Sequence, residues 1–219
     1  MICIIPARGG SKRLPRKNIL EFRGKPLILH VIKNALESRS FEKIIVSSED
    51  PEILEVASKT NVILNKRKEC LASDSSTVVE VCLDVLSTEE TNDFCCIYPT
   101  SVLLQSKTIG AAVKAFNNYK ECECSVLMGV SEYKFHPVQA LSKNDNGYWE
   151  TLYNQFKDKR SQLYPHCKVS NGTLYIARTK TFHDEKTFYS KKLQVFDIPD
   201  GEVSDIDTPS DYEILKKIQ

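Results

Sequence analysis

Short apolar runs alternate with amphipathic stripes over the first 130 residues. The runs are residues 2–5 (ICII), 43–47 (KIIVS), 62–64 (VIL), 93–98 (DFCCIY) and 125–130. Continuous runs of this kind predict strands covered on both faces. Between them, residues 26–38, 51–59, 77–86 and 107–116 carry helical stripes. In 26–38 the stripe is Leu27, Ile28, Val31, Ile32, Ala35 and Leu36. In 77–86 it is Val78, Val81, Cys82 and Val85. Pro51 suits the first turn of a helix. Strand–helix alternation with short links predicts an α/β fold: a mostly parallel central sheet with helices on both faces.

The pattern breaks after residue 130. Residues 131–165 are polar and aromatic, with turn residues at 144–147 (NDNG). They read as an irregular or β-rich insertion. Regular signals return as strands at 172–177 (GTLYIA) and 193–198, then a helix at 210–218. No repeat, low-complexity tract or linker divides the chain. One domain over 1–219 with an insertion at 131–165 is the expectation.

Composition narrows the function classes. Of 219 residues, 41% are hydrophobic and 27% charged, which excludes a disordered or fibrous chain. No run is long enough for a membrane span or a leader, so a cytoplasmic protein is expected. Eight cysteines occur without any CxxC pair. Cys3, Cys82, Cys95 and Cys96 lie inside apolar runs, where a reduced thiol behaves as a small hydrophobe. Cys122-x-Cys124 lacks a second ligand pair, so neither zinc nor a disulfide framework is expected. The net charge of +1 argues against a broad nucleic-acid or membrane-binding surface.

That balance hides two opposed blocks. From Arg8 to Lys25 there are seven bases and one acid, Glu21. From Leu193 to Leu215 there are seven acids and no Lys or Arg. The basic block, PARGGSKRLPRKN at 6–18, follows the first strand. In an open parallel sheet, ligands bind beyond the carboxyl ends of strands. Gly9 and Gly10 would allow close backbone approach and positive φ. Arg8 offers a planar fork of donors, and Lys12 and Lys17 offer compact charges, so the loop suits a triphosphate. It is neither a P-loop (GxxxxGK[ST]) nor a GxGxxG turn. In the acidic block, Asp205 and Asp207 flank Ile206. If extended, both carboxylates point one way and Ile206 the other. Such a pair beside phosphates suits Mg²⁺. The competing reading makes Asp207 or Thr208 the cap of a helix opened by Pro209. Asp211 and Glu213 read as first-turn acids.

Together these stretches resemble the CMP-sugar synthetases, cytidylyltransferases that activate nonulosonic acids such as N-acetylneuraminate. The carrying words are IIPARGGSKRLPRKN (4–18), GKPLI (24–28), KIIVSSED (43–50), RKECLASD (67–74), YPTS (98–101), NGTLYIA (171–177) and SDIDTPSDYE (204–213). The resemblance implies a Rossmann-like nucleotidyltransferase fold with a small dimerisation segment at 131–165 that reaches across to the partner subunit of a homodimer. It implies transfer of CMP from CTP to the anomeric hydroxyl of a nonulosonic acid, with pyrophosphate released and Mg²⁺ required. Carried over, Arg8, Gly10, Ser11 and Lys12 would hold phosphates, and Lys17 would stabilise charge at the α-phosphate. Asn18 and Arg67 would meet ribose and base, while Asp205 and Asp207 would hold the metal. Arg8, Lys12, Lys17 and Asp207 form the implied catalytic set, with no side-chain general base among them. The sugar would meet Tyr98, His136, Arg160, Gln162 and Asn171. Tyr98 stands where the family usually has Gln, and Val102 where Pro is common. VQAL and RSQ are similar to words of the pseudaminate branch, so pseudaminate and legionaminate stand beside sialate. Transfer to another small substrate and a catalytically silent nucleotide-binding regulator are the competing functions. His30, His166 and His183 carry no motif.

Overall fold

The computed structural model describes residues 1–218. Strand β1 (Ile2–Pro6) is followed by the short strands β2 (Glu21–Phe22) and β3 (Lys25–Pro26) and helix α1 (Leu27–Glu37). Then come β4 (Lys43–Ser48), α2 (Pro51–Ser58), β5 (Ile63–Lys66), α3 (Val78–Leu86), β6 (Asp93–Ile97), α4 (Ser106–Asn118) and β7 (Val126–Glu132). The chain ends with β8 (Leu141–Lys143), β9 (Trp149–Thr151), β10 (Lys168–Arg178), α5 (Thr179–Glu185), β11 (Leu193–Asp197) and α6 (Pro209–Lys216).

Seven strands form the central sheet in the order β11-β7-β10-β6-β1-β4-β5. β10 runs antiparallel to both neighbours. The other pairs are parallel. The expected mostly parallel sheet is therefore present, with one reversed strand near its middle.

β1 shows why the strands read as continuous apolar runs. Cys3 and Ile5 pack into one core with Leu27 and Val31 of α1 and Phe116 of α4. Ile2 and Ile4 pack into the other with Val85 of α3 and Phe182 of α5. Alternate side chains point to opposite faces, and both faces are covered. Each buried aliphatic side chain contributes about 1.5–3 kcal/mol. Cys95 and Cys96 of β6 divide between the same two cores. All eight cysteines are free. Burial pushes the Cys3 and Cys96 thiols well up, so both stay protonated.

Local chemistry sets the helix starts. The Asp50 carboxylate accepts the N–H groups of Glu52 and Ile53 at 2.9 and 3.2 Å, with Pro51 at the first helical position of α2. Thr77 and Glu80 form a capping box on α3. Thr208 and Asp211 form another on α6.

Residues 131–165 contain the β8–β9 hairpin among short 3₁₀ turns. Its turn uses Gly147 at φ +84°, with the Gly147 N–H donating to the Asn144 carbonyl at 2.9 Å. Three features escaped the periodicity. The β2–β3 hairpin and α5 are too short to show a repeat. β10 starts at Lys168, not Gly172, because its polar first half is only half covered. A register shift between Ser170 and Tyr175 breaks its alternation there.

Candidate active site

A cleft of about 770 Å³ opens at the carboxyl ends of the parallel strands. The sheet order lays out its walls. After β5 comes Arg67. After β1 comes the basic loop, after β6 comes Tyr98, and at the start of β10 come Ser170, Asn171 and Gly172. Asp205 and Asp207 reach the cleft from the segment before α6.

Among the expected residues, Arg8, Ser11, Lys17, Asn18, Arg67, Tyr98, Asn171, Asp205 and Asp207 line this cleft. The basic loop and the acidic segment meet directly. Lys17 Nζ lies 2.9 Å from Asp207 Oδ1, across 190 positions of sequence. Arg13 Nη2 donates to the other Asp207 oxygen at 2.6 Å. Arg13 was not among the expected residues. Its only signal was membership of the basic run.

The capping alternative for Asp207 is settled by its neighbours. Thr208 caps α6, its hydroxyl accepting the Asp211 N–H at 3.3 Å. Asp211 answers by accepting the N–H groups of Thr208 and Asp207 at 2.7 and 3.0 Å. The Asp207 carboxylate is left to the cations. Partial burial pushes it up, but hydrogen bonds and charge from Lys17 and Arg13 outweigh this and hold it below its ordinary value. The Asp205 carboxyl is raised instead, by desolvation first and by the Asp207 charge second. Ile206 between them is buried, so both acids share the cleft side.

The loop differs from the expected geometry at its glycines. Neither Gly9 nor Gly10 has positive φ; the left-handed residue is Arg16, at φ 58°. Arg16 pairs with Asp50 and Glu52. Gly9 is required for another reason: a Cβ there would collide with the Asp50 carboxylate. Its N–H donates to Glu49 Oε1 at 2.6 Å and so is not presented to an anion. Gly10 has open space around it and does not line the cleft.

Asp74 was missed, although its segment was singled out for Arg67. Its carboxylate lines the cleft, pairs with Lys12 and lies 3.4 Å from Arg8 Nη1. Lys12 itself lies beyond the lining residues. Asn18 is buried; its Nδ2 donates to the Arg8 carbonyl at 2.9 Å, and its Oδ1 has no donor among the described residues. Arg67 is buried too, its Nη2 donating to the Ser47 carbonyl at 2.7 Å. Burial lowers its guanidinium from the ordinary value, and the Glu49 charge opposes that.

At the β6–β10 end the wall is aromatic. Tyr98 and Tyr175 have ring centroids 5.6 Å apart, and Phe188 stacks behind Tyr175 at 4.6 Å. Tyr189 completes the wall. Burial pushes the Tyr98 phenol up, so it stays neutral. Asn171 Nδ2 donates to Ser131 Oγ at 3.0 Å, and its Oδ1 accepts from Thr173 Oγ1 at 2.6 Å. These bonds hold the amide at the cleft wall.

Three expected residues stand apart. His136, Arg160 and Gln162 do not line this cleft. The His136 ring is tied to the Pro165 carbonyl at 2.8 Å and faces Tyr164 at 4.9 Å. Arg160 and Gln162 are exposed on the insertion. No helix among the described residues is long and apolar enough to cross a membrane.

Known proteins resemble this chain over most of its length. The pseudaminic acid cytidylyltransferase of Campylobacter jejuni is 33% identical over 221 residues, covering 98% of this chain and 94% of that protein. The N-acylneuraminate cytidylyltransferase of Streptococcus agalactiae is 32% identical over 214 residues, covering 96% of this chain and 51% of that protein. The solved structure of CMP:2-keto-3-deoxy-manno-octonic acid synthetase complexed with CTP superposes with a TM-score of 0.72. Its identity is 16%, and the match covers 98% of this chain and 96% of that one. At that identity it speaks for the fold alone. The cytidylyltransferase family model matches residues 2–219. The chain belongs to the cytidylyltransferase family and is a nucleotidyltransferase.

Proposed function

We propose that this enzyme transfers CMP from CTP to the anomeric hydroxyl of a nonulosonic acid of the N-acetylneuraminate type. The carrying observation is the Lys17–Asp207 contact at 2.9 Å, which brings the cationic loop and the paired carboxylates into one cleft. The hydroxyl oxygen attacks the α-phosphorus. The new P–O bond forms as the bond to the β-phosphate breaks, and pyrophosphate leaves with the electron pair. Such a transfer asks mainly for positioning and charge stabilisation. Arg8 and Ser11 hold the phosphates from the cleft wall; Gly10 and Lys12 belong to the same loop but lie outside the lining, and Lys12 adds its charge from there. Lys17 meets the charge developing around the α-phosphate. Asn18, whose Oδ1 is unpaired among the described residues, and Arg67 take the nucleoside. Tyr98 and Asn171 face the sugar. The proton of the attacking hydroxyl passes to solvent, and no side chain is assigned as its base.

Asp205 and Asp207 fit a divalent cation. Two carboxylates share one side of the cleft, and their mutual repulsion helps to raise Asp205. Hard oxygen donors of this kind suit Mg²⁺. No third His, Cys, Asp or Glu joins them among the described residues, so these two carboxylates would be the chain's own hold on the ion. When bound, the ion supplies charge neutralisation at the phosphates and acidifies a coordinated hydroxyl.

The insertion is the dimerisation segment of a cytoplasmic homodimer. Phe135, Tyr148 and Trp149 are 75%, 72% and 68% exposed on it, a density of apolar surface that marks an interface. The arm would carry His136, Arg160 and Gln162 to the partner's cleft. The aromatic wall favours one alternative for the sugar. Neutral rings suit acylamido and deoxy positions better than a polyol tail, as in pseudaminate or legionaminate.

The test is pyrophosphate release with Mg²⁺, each of the four NTPs and a panel of nonulosonic acids. Release is expected only with CTP plus a nine-carbon sugar acid. Release with no pair sinks the proposal.

A further inference from the structure

The Glu49 carboxylate sits beneath the nucleotide end of the cleft, and no step above uses it. It directly follows β4, and its side chain is 11% exposed. Oε1 accepts the Gly9 N–H at 2.6 Å. Oε2 is buried, accepts no hydrogen bond among the described residues, and faces Arg67 Nη1 at 3.7 Å. Arg67 spends its other nitrogens on Ser47: Nε donates to Oγ at 3.3 Å and Nη2 to the carbonyl at 2.7 Å. Nη1 is the guanidinium nitrogen left for a ligand. The lining of the same cleft includes Leu71, Thr77, Val78 and Val81, a mixed apolar surface suited to a planar base.

A carboxylate this close to a cationic cradle opposes an anionic ligand by its charge. Burial also makes a carboxylate with one oxygen lacking a hydrogen bond costly. Both costs are offset only if the group orders something else. Glu49 contacts the phosphate-side loop with one oxygen and the nucleoside-side cation with the other. We propose that Glu49 is a positioning residue that sets Arg67 Nη1 for the nucleoside and anchors the basic loop through Gly9. This rests on the CTP reading of the cleft.

The two oxygens can be separated by substitution. Glu49→Gln keeps an acceptor for the Gly9 N–H but removes the charge facing Arg67. Glu49→Ala removes both. The probes are CMP, CTP and inorganic triphosphate, titrated calorimetrically into the full chain. Glu49→Gln is expected to weaken CMP and CTP about 10-fold while triphosphate binds no more weakly than to wild type. Glu49→Ala is expected to weaken triphosphate as well. A Glu49→Gln protein that binds all three probes like wild type overturns the proposal. So does one that loses thermal stability while its CMP-to-triphosphate affinity ratio stays unchanged, because that is a purely structural role. If wild type binds none of the probes, the CTP reading falls and the proposal falls with it.

Discussion

Lys17 is held where it is by Asp207, and the two predict different losses. Lys17→Ala keeps the fold, because the side chain stands in the cleft rather than in either core. If Lys17 meets the α-phosphate as proposed, losing its charge should lower kcat by about 10²–10³, read from pyrophosphate release. Wild-type turnover would refute the role. Asp207→Asn should instead flatten the Mg²⁺ titration; an unchanged titration would return Asp207 to an ion-pairing role only. Asp74 points the opposite way. Its carboxylate occupies Lys12 and approaches Arg8, both assigned to phosphates. Asp74→Asn should therefore lower KM for CTP by severalfold, and a raised KM would mean that Asp74 holds the loop in its binding shape. Arg8, Lys17, Asp205 and Asp207 were legible because each lies in a local run of one charge. Glu49 and Asp74 were not, because their partners lie outside their own segments, 18 and 40 positions away for Glu49 and 62 and 66 for Asp74. Asp50-Pro51 also gave residues 49–51 a complete local explanation as a helix start.

Each helix start isolates the acids that serve structure from those that serve chemistry. On α6 the Thr208–Asp211 box satisfies the first turn, which frees Asp207. Thr208→Ala should cost about 1 kcal/mol. For a chain of this size that lowers the melting temperature by about 2–4 °C. The Thr208 hydroxyl, then the Thr208 and Asp207 N–H groups, hold the Asp211 carboxyl below its ordinary value. A depressed folded value stabilises above the unfolded carboxylate value and is lost as pH falls through the folded one. The destabilisation by Thr208→Ala should accordingly shrink below about pH 4, the ordinary carboxylate range. Thermal melts at pH 7 and pH 3 check this; equal losses at both would contradict it. The element pattern itself was readable wherever packing is two-sided, as in β1, β4 and β6. It failed where cover is partial. The Lys168–Asn171 half of β10 alternates poorly, and the shift beyond Ser170 moves the next side chains out of phase.

The 131–165 segment gives the proposed homodimer its sharpest test. A hairpin of two three-residue strands is marginal in water without cover. Here Leu141 and Trp149 at its strand ends are exposed, and so are Phe135, Tyr148 and Leu163 nearby. A second copy related by a two-fold axis would cover both arms by one self-complementary contact. Trp149→Glu should then shift light-scattering mass from dimer to monomer while leaving the sheet unaltered by circular dichroism. If each arm also completes the opposite cleft, Arg160 acts on a cleft whose Lys17 belongs to the other chain. Lys17→Ala and Arg160→Ala proteins would each turn over poorly alone. Mixed and allowed to exchange, half of the dimers would carry one variant of each kind. Each of those has one cleft in which both residues are intact, so activity should rise to about a quarter of wild type. No recovery in a mixture shown to exchange subunits would place Arg160 on its own chain's cleft or outside the reaction altogether.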